Sequence, residues 1–131
     1  MRTLRSAAIL ASVLLLLFAV GCRGGRTILN MTNVPVLTQK ANPTLEEVGK
    51  AIIRAGVNTN WRLSELKPGQ LTGTRSMGNH SAMIDVTYTT TNYNITFKES
   101  TLGNPETGVH RVYNQWIQEL DTQIRSQLHA I

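Results

Sequence analysis

The strongest constraint on this chain is a change of period. From Asn60 to Ser100 apolar and polar residues alternate at every second position, and short turn signals cut the run into pieces. Trp61-Arg62-Leu63-Ser64-Glu65-Leu66 reads as a first strand. Lys67-Pro68-Gly69-Gln70 reads as a turn, because proline presets the φ of its second position and glycine suits the next. Leu71 to Met77 reads as a second strand, Gly78-Asn79 as a tight hairpin turn, and His80 to Tyr88 as a third strand. After Thr89-Thr90-Thr91-Asn92, Tyr93, Ile95 and Phe97 alternate with Asn94, Thr96 and Lys98 on a fourth. Consecutive strands joined by short turns make an antiparallel meander. Ala82, Ile84, Val86 and Tyr88 fall on one face, while Thr72, Thr74, Asp85, Thr87, Asn94 and Thr96 belong to the polar side. Such a sheet is covered by helices on one side and wet on the other.

Two segments supply the cover. Thr44-Leu45-Glu46-Glu47 has the form of a capping box, in which the threonine hydroxyl and the glutamate three residues on exchange hydrogen bonds with each other's backbone. Leu45, Val48, Ile52 and Ala55 then recur at helical spacing, and Gly56 suits a left-handed stop, so a helix is expected over 45–55. Asn104-Pro105-Glu106 reads as the opening of a second helix, with Asn104 as its cap. Val109, Val112, Tyr113, Trp116, Leu120, Ile124 and Leu128 step by three or four, which carries this helix from 105 to about 129. At 1.5 Å per residue it spans roughly 37 Å, so its last turns are expected to overhang the sheet or curl back onto the core. The expected fold is α+β: helix, four-stranded antiparallel meander, helix, with both helices on one sheet face and a single domain over 44–131. Gly73, in phase with Leu71, would let a helix approach closely.

The N-terminal part has a different character. Met1-Arg2-Thr3-Leu4-Arg5 precedes an apolar run from Ala7 to Val20, which has the length of a secretory signal and falls short of the ~20 residues a membrane-spanning helix needs. Its end, Ala19-Val20-Gly21-Cys22, resembles the lipobox of bacterial lipoproteins, with Ala19 where leucine is usual. The resemblance implies that residues 1–21 are a signal peptide, that diacylglycerol is added to the thiol of Cys22, and that the new amine is acylated. Each buried methylene contributes ~0.8 kcal/mol, so two or three chains make the attachment durable. The competing reading is a plain secretory signal. Cys22 is the chain's one cysteine, which excludes an internal disulfide. Residues 22–43 read as a lipidated tether, with Gly24-Gly25, Pro35 and Pro43 against regular structure. Val34-Pro35-Val36-Leu37 fits either an edge segment of the sheet or part of a stalk.

Charge adds an exclusion. The chain has 13 Lys+Arg against 8 Asp+Glu, and removal of 1–21 takes Arg2 and Arg5 with it, leaving 11 against 8. That excess is small and dispersed, with no basic block interleaved with aromatics, so nucleic acid is not an expected partner. Arg23 and Arg26 read as solvated; contact with anionic headgroups would add ~1 kcal/mol each.

A search for chemistry finds no reaction. His80, His110 and His129 lack chelating spacings, so no metal is expected. Ser76, Ser81 and Ser100 lack the Gly-x-Ser-x-Gly frame of a nucleophile elbow, Gly24-Gly25 lacks a phosphate-loop frame, and nothing fixes Asp85 beside Glu65 or Glu99 as a catalytic pair. No cofactor and no catalytic residue is assigned. Tyr113 and Trp116, three apart, read as a core stripe, against the alternative of an aromatic ledge for glycan or peptide with Asn114 beside it.

Trp61, Lys67-Pro68-Gly69, His80-Ser81-Ala82, Asp85-Val86-Thr87-Tyr88, Tyr93-Asn94-Ile95 and above all His110-Arg111-Val112-Tyr113-Asn114-Gln115-Trp116 together resemble a family of small proteobacterial envelope lipoproteins without an assigned activity, over roughly 44–128. The resemblance implies a non-enzymatic lipoprotein. With Arg23 and no aspartate after Cys22, it further implies placement in the outer membrane facing the periplasm. The expected function is binding of another envelope component, a protein partner first, by a domain anchored to the membrane through Cys22. The alternative is a periplasmic small-ligand or glycan-binding module. Either would use the polar face of Thr72, Thr74, Asp85, Thr87, Asn94 and Thr96.

Overall fold

The computed structural model describes residues 25–131. Their order is β1 (Met31–Pro35), α1 (Leu45–Asn58), β2 (Arg62–Lys67), β3 (Gln70–Met77), β4 (His80–Tyr88), β5 (Asn92–Ser100), β6 (Gly103–Asn104), β7 (Gly108–Val109) and α2 (Arg111–His129). The architecture is α+β with two helices. The main sheet runs β1-β5-β4-β3-β2, every neighbouring pair antiparallel. It therefore has five strands and not four. The fifth comes from the segment expected to be a tether, where the edge-segment reading of Val34-Pro35 holds and the stalk reading does not: β1 adds to the free edge of β5, with Val34 opposite Tyr93 and Pro35 opposite Asn92. Proline has no amide hydrogen to donate, and an edge strand is where that omission is tolerated.

The capping box forms as its residues dictate. Glu47 N–H donates to the Thr44 hydroxyl and Thr44 N–H donates to the Glu47 carboxylate, both at 3.1 Å. Lys40 Nζ lies 2.8 Å from the same carboxylate; its hydrogen bond is the main cause that holds Glu47 below the usual carboxylate range. Gly56 does not stop the helix. It is buried inside α1, which continues to Asn58, and the left-handed residue is Asn60 at φ 60°. The reason lies in Leu63. A Cβ on Gly56 would stand 2.8 Å from Leu63 Cγ, and a Cβ on Gly73 would stand 2.6 Å from Leu63 Cδ2 and 2.8 Å from Ile84 Cγ1. Both glycines thus make room for one leucine, and the neighbour that Gly73 admits is a side chain from the adjacent strand, not a helix.

The second helix also begins later than expected. Asn104 does not cap it; its Oδ1 accepts from Glu106 and Thr107 N–H, turning the chain between β6 and β7 with Pro105 inside the turn. The cap is His110, whose Nδ1 accepts from Val112 N–H at 3.2 Å. At the other end nothing overhangs. Leu128 is buried, and the Ile131 carbonyl accepts from the Gln39 and Lys40 amides.

Both helices cover the same face of the sheet. Tyr88 of β4 is in contact range of Gly49 in α1, and Phe97 of β5 meets Tyr113 of α2 edge-on with ring centroids 5.3 Å apart. Between them lies a core of Val48, Ile52, Leu71, Ile84, Ile95, Ile117, Leu120 and Ile124, all fully enclosed.

Candidate binding face

The register brings the six polar residues singled out in the sequence onto one surface. Ser64, Thr72, Asp85 and Thr96 lie opposite one another in a ladder across β2, β3, β4 and β5. Arg62, Thr74 and Met83 form a second row, and Gln70, Thr87 and Asn94 a third. No helix covers this face. Thr74, Thr87 and Thr96 are exposed, and Thr72, Asp85 and Asn94 are half-buried. Lys98 Nζ stands 3.8 Å from Asp85 Oδ1, a loose pair that leaves the carboxylate open to a further donor. The lysine was not among the expected residues, although its alternation with Phe97 puts it on this side.

Two of the six are less available than the rest. Asn94 Oδ1 accepts from the Asn33 amide at 2.8 Å, and its Nδ2 donates to the Thr87 hydroxyl at 3.1 Å. The side chain is used to dock β1 at a point where Asn33 takes φ 51°, so both its oxygen and its nitrogen are already engaged. Thr72 Oγ1 is enclosed without a hydrogen-bond partner among the described residues. The open part of the face is therefore Thr74, Asp85, Thr87 and Thr96.

The His-x-x-Tyr-Asn-x-Trp stretch turns inward. His110 caps α2. Tyr113 is fully buried, and burial pushes its phenol well above the usual tyrosine range. Asn114 clamps the N-terminal segment: its Oδ1 accepts from Leu29 N–H and its Nδ2 donates to the Thr27 carbonyl, both at 2.9 Å. Trp116 is 3% exposed and meets Trp61, 2% exposed, edge to face at 6.4 Å. Over the Trp116 ring, 4.4 Å from its centroid, lies the guanidinium of Arg75, itself only 6% exposed and paired with Glu119 at 3.1 Å. The rings give no ledge on which a glycan could stack.

A second polar network is enclosed nearby. Tyr93 OH donates to Asp121 Oδ1, and Arg125 Nε donates to Asp121 Oδ2 at 2.9 Å. Desolvation, and then the Asp121 carboxylate, drive the Tyr93 phenol strongly upward. A phenol held neutral and donating to a carboxylate is a structural bond. Among the described residues no group of three or more His, Cys, Asp or Glu converges as metal ligands would, and no helix is long and apolar enough to cross a membrane. Cys22 lies outside the described residues. Compared with protein-family models, with curated proteins and with solved structures, the chain finds no match.

Proposed function

We propose that this chain is a non-enzymatic lipoprotein of the bacterial cell envelope, anchored through Cys22, most consistent with the outer membrane facing the periplasm, and that it binds another envelope protein through the open side of its sheet. One observation carries the reading. His110, Tyr93, Asn114, Trp116 and Asp121 are engaged in the domain's own structure, whereas the face of Thr74, Asp85, Thr87 and Thr96 spans three strands, β3 to β5, covered by neither helix. Threonine hydroxyls on a rigid, gently twisted surface give donors and acceptors at fixed spacing with little side-chain entropy to lose. That suits a polar, reversible protein interface. The small-ligand and glycan alternative has less support, because both tryptophans are buried and the hollow that reaches this face, at Arg62, Thr74 and Ser76, touches only one of its four open residues.

The test is photo-crosslinking in cells from probes at Thr74, Thr87 and Thr96, with Cys22→Ser as the unanchored control. A discrete protein adduct from these positions that is lost in the control is the expected result. Absence of adducts from all three, in a protein that accumulates normally, removes the sheet as a protein interface.

A further inference from the structure

The segment between the anchor and the sheet is bound along its length. Gly25 N–H donates to the Thr107 carbonyl at 2.9 Å, Arg26 and Val109 exchange a pair of backbone hydrogen bonds at 3.0 and 2.8 Å, and Asn114 holds Thr27 and Leu29. Asn30 Oδ1 then accepts from Phe97 N–H at 2.9 Å, and β1 continues along β5. The approach at the first of these contacts is close. A Cβ on Gly108 would stand 2.6 Å from the Gly25 carbonyl carbon, so only glycine fits there. Three residue steps separate Cys22 from Gly25, a span of at most ~11 Å when fully extended. If the chain were free as far as the cap of α1 at Thr44, that reach would be roughly 75 Å.

The strap meets the domain at one end of the sheet. Ser100 at the end of β5 lies opposite Ala82, and Met77 opposite His80, so this end gathers the β3–β4 turn, the β6–β7 hairpin and the start of α2. The opposite end holds the Thr89–Asn92 turn and, through the Val36 amide on the Thr91 carbonyl, the exit of the strap. A nine-residue strand puts about 30 Å between the two ends. Arg26 and Arg111 are exposed at the strapped end, line one shallow groove with Asn114 and Gln118, and make no ion pair among the described residues. Glu106 and Glu99 are acidic residues at the same end. Met77, 54% exposed, is at the same end.

We infer that this end of the domain is a docking surface for the phosphate headgroups of an anionic lipid bilayer, with Arg26 and Arg111 as the contacting cations, so that the strands stand away from the membrane and the threonine face looks sideways into the surrounding space. The inference rests on the lipid attachment at Cys22 proposed above. It replaces the reading of Arg26 as merely solvated, because the strap fixes this cation within reach of the anchor and beside a second one. Attraction of this kind contributes ~1 kcal/mol per cation near a charged surface and is screened by salt.

The experiment uses the full lipidated chain, taken from membranes and reconstituted in vesicles of phosphatidylethanolamine with a minority of phosphatidylglycerol, some lipids carrying a nitroxide on the headgroup. A fluorophore is placed on a new cysteine, Thr107→Cys at the strapped end or Thr90→Cys at the far end, while flotation with the vesicles reports the anchor separately. Quenching several-fold stronger at 107 than at 90 is expected. The contrast should shrink toward one when about ten Gly/Ser residues, with a root-mean-square span of ~17 Å, are inserted after Gly24. It should also shrink at high salt and in the Arg26→Gln/Arg111→Gln double variant. Equal quenching at both positions in a protein that floats overturns the orientation and leaves the anchor standing. A contrast that the double variant and salt leave unchanged overturns the headgroup contact. A wild-type chain that fails to float overturns the anchor, and the orientation with it.

Discussion

The strap over residues 25–36 and the meander over residues 62–100 share extended backbone, but they are held in opposite ways. Each meander strand bonds to the next strand in sequence, and its inner side chains enter a core. The strap bonds to residues far away in the chain, 61 positions away at Asn94, 67 at Phe97 and 85 at Asn114, through asparagine amides and backbone pairs, and Val34 is its one buried apolar side chain among the described residues. Burial of apolar area is what makes an element hard to remove, whereas a net hydrogen bond contributes ~1 kcal/mol. The meander is therefore the body of the fold, and the strap is a set of separable clasps that decides how the body is presented.

The largest way to test that division is alkaline pH. Tyr93 and Tyr113 both have phenols raised above the ordinary value of ~10, the first by burial and its bond to Asp121, the second by burial. A group raised in the folded state contributes stability that is fully present below its unfolded pKa and is lost as pH rises above it. Stability should thus hold to about pH 10 and fall steeply beyond, with the tyrosinate absorbance of these two residues appearing together with loss of the helical circular dichroism. Tyrosinate absorbance from both in a still-folded protein would mean that the core of the meander is looser than its packing indicates. Next in size is Trp116→Ala, which removes the partner of Trp61 and the surface under the buried Arg75 guanidinium. A loss of about 3–5 kcal/mol, read from the shift in the urea midpoint, is expected.

Asn114→Ala is the matching cut in the strap. It deletes two hydrogen bonds, one from the Leu29 amide and one to the Thr27 carbonyl, for about 2 kcal/mol. Amide exchange should separate the two regions: Leu29 N–H and Arg26 N–H lose protection, while amides of β3 and β4 keep theirs relative to the global unfolding limit. If the β3 and β4 amides lose protection as much as the strap does, the clasps are not separable and the division fails.

The same division explains what could be read from the sequence. The four meander strands, the capping box at Thr44 and the polar side of the sheet were accessible because each depends on neighbours within a few residues: a period of two, Pro68-Gly69, Gly78-Asn79, Thr44 with Glu47. β1 was legible only in part: Val34-Pro35 fitted an edge segment as well as a stalk, and the choice stayed open because Asn30, Asn33 and Pro35 are loop formers by local preference while their partners lie in β5. The start of α2 failed for a related reason. Asn104-Pro105-Glu106 fits a helix opening and equally fits the turn it makes, and the choice is made by Gly25 and Arg26 pairing with the β6–β7 hairpin. Asn94 belonged to the predicted face by alternation, yet its amide is spent on the strap.

The smallest effect on stability bears most on the threonine face. Thr74→Val and Thr96→Val keep the β-branched shape that strands accept and remove only a hydroxyl that has no hydrogen bond to another described residue. On a wet face such a change stays within about 0.5 kcal/mol. Thr87→Val differs, because its hydroxyl accepts from Asn94, which in turn holds Asn33. It should cost about 1 kcal/mol and raise exchange at the Asn33 amide. If Thr74→Val and Thr96→Val also destabilise by that much, the outer face holds the fold together just as the strap's clasps do. If they leave stability alone but abolish the crosslinked adduct, their hydroxyls have no structural task, and recognition is what remains for them to do.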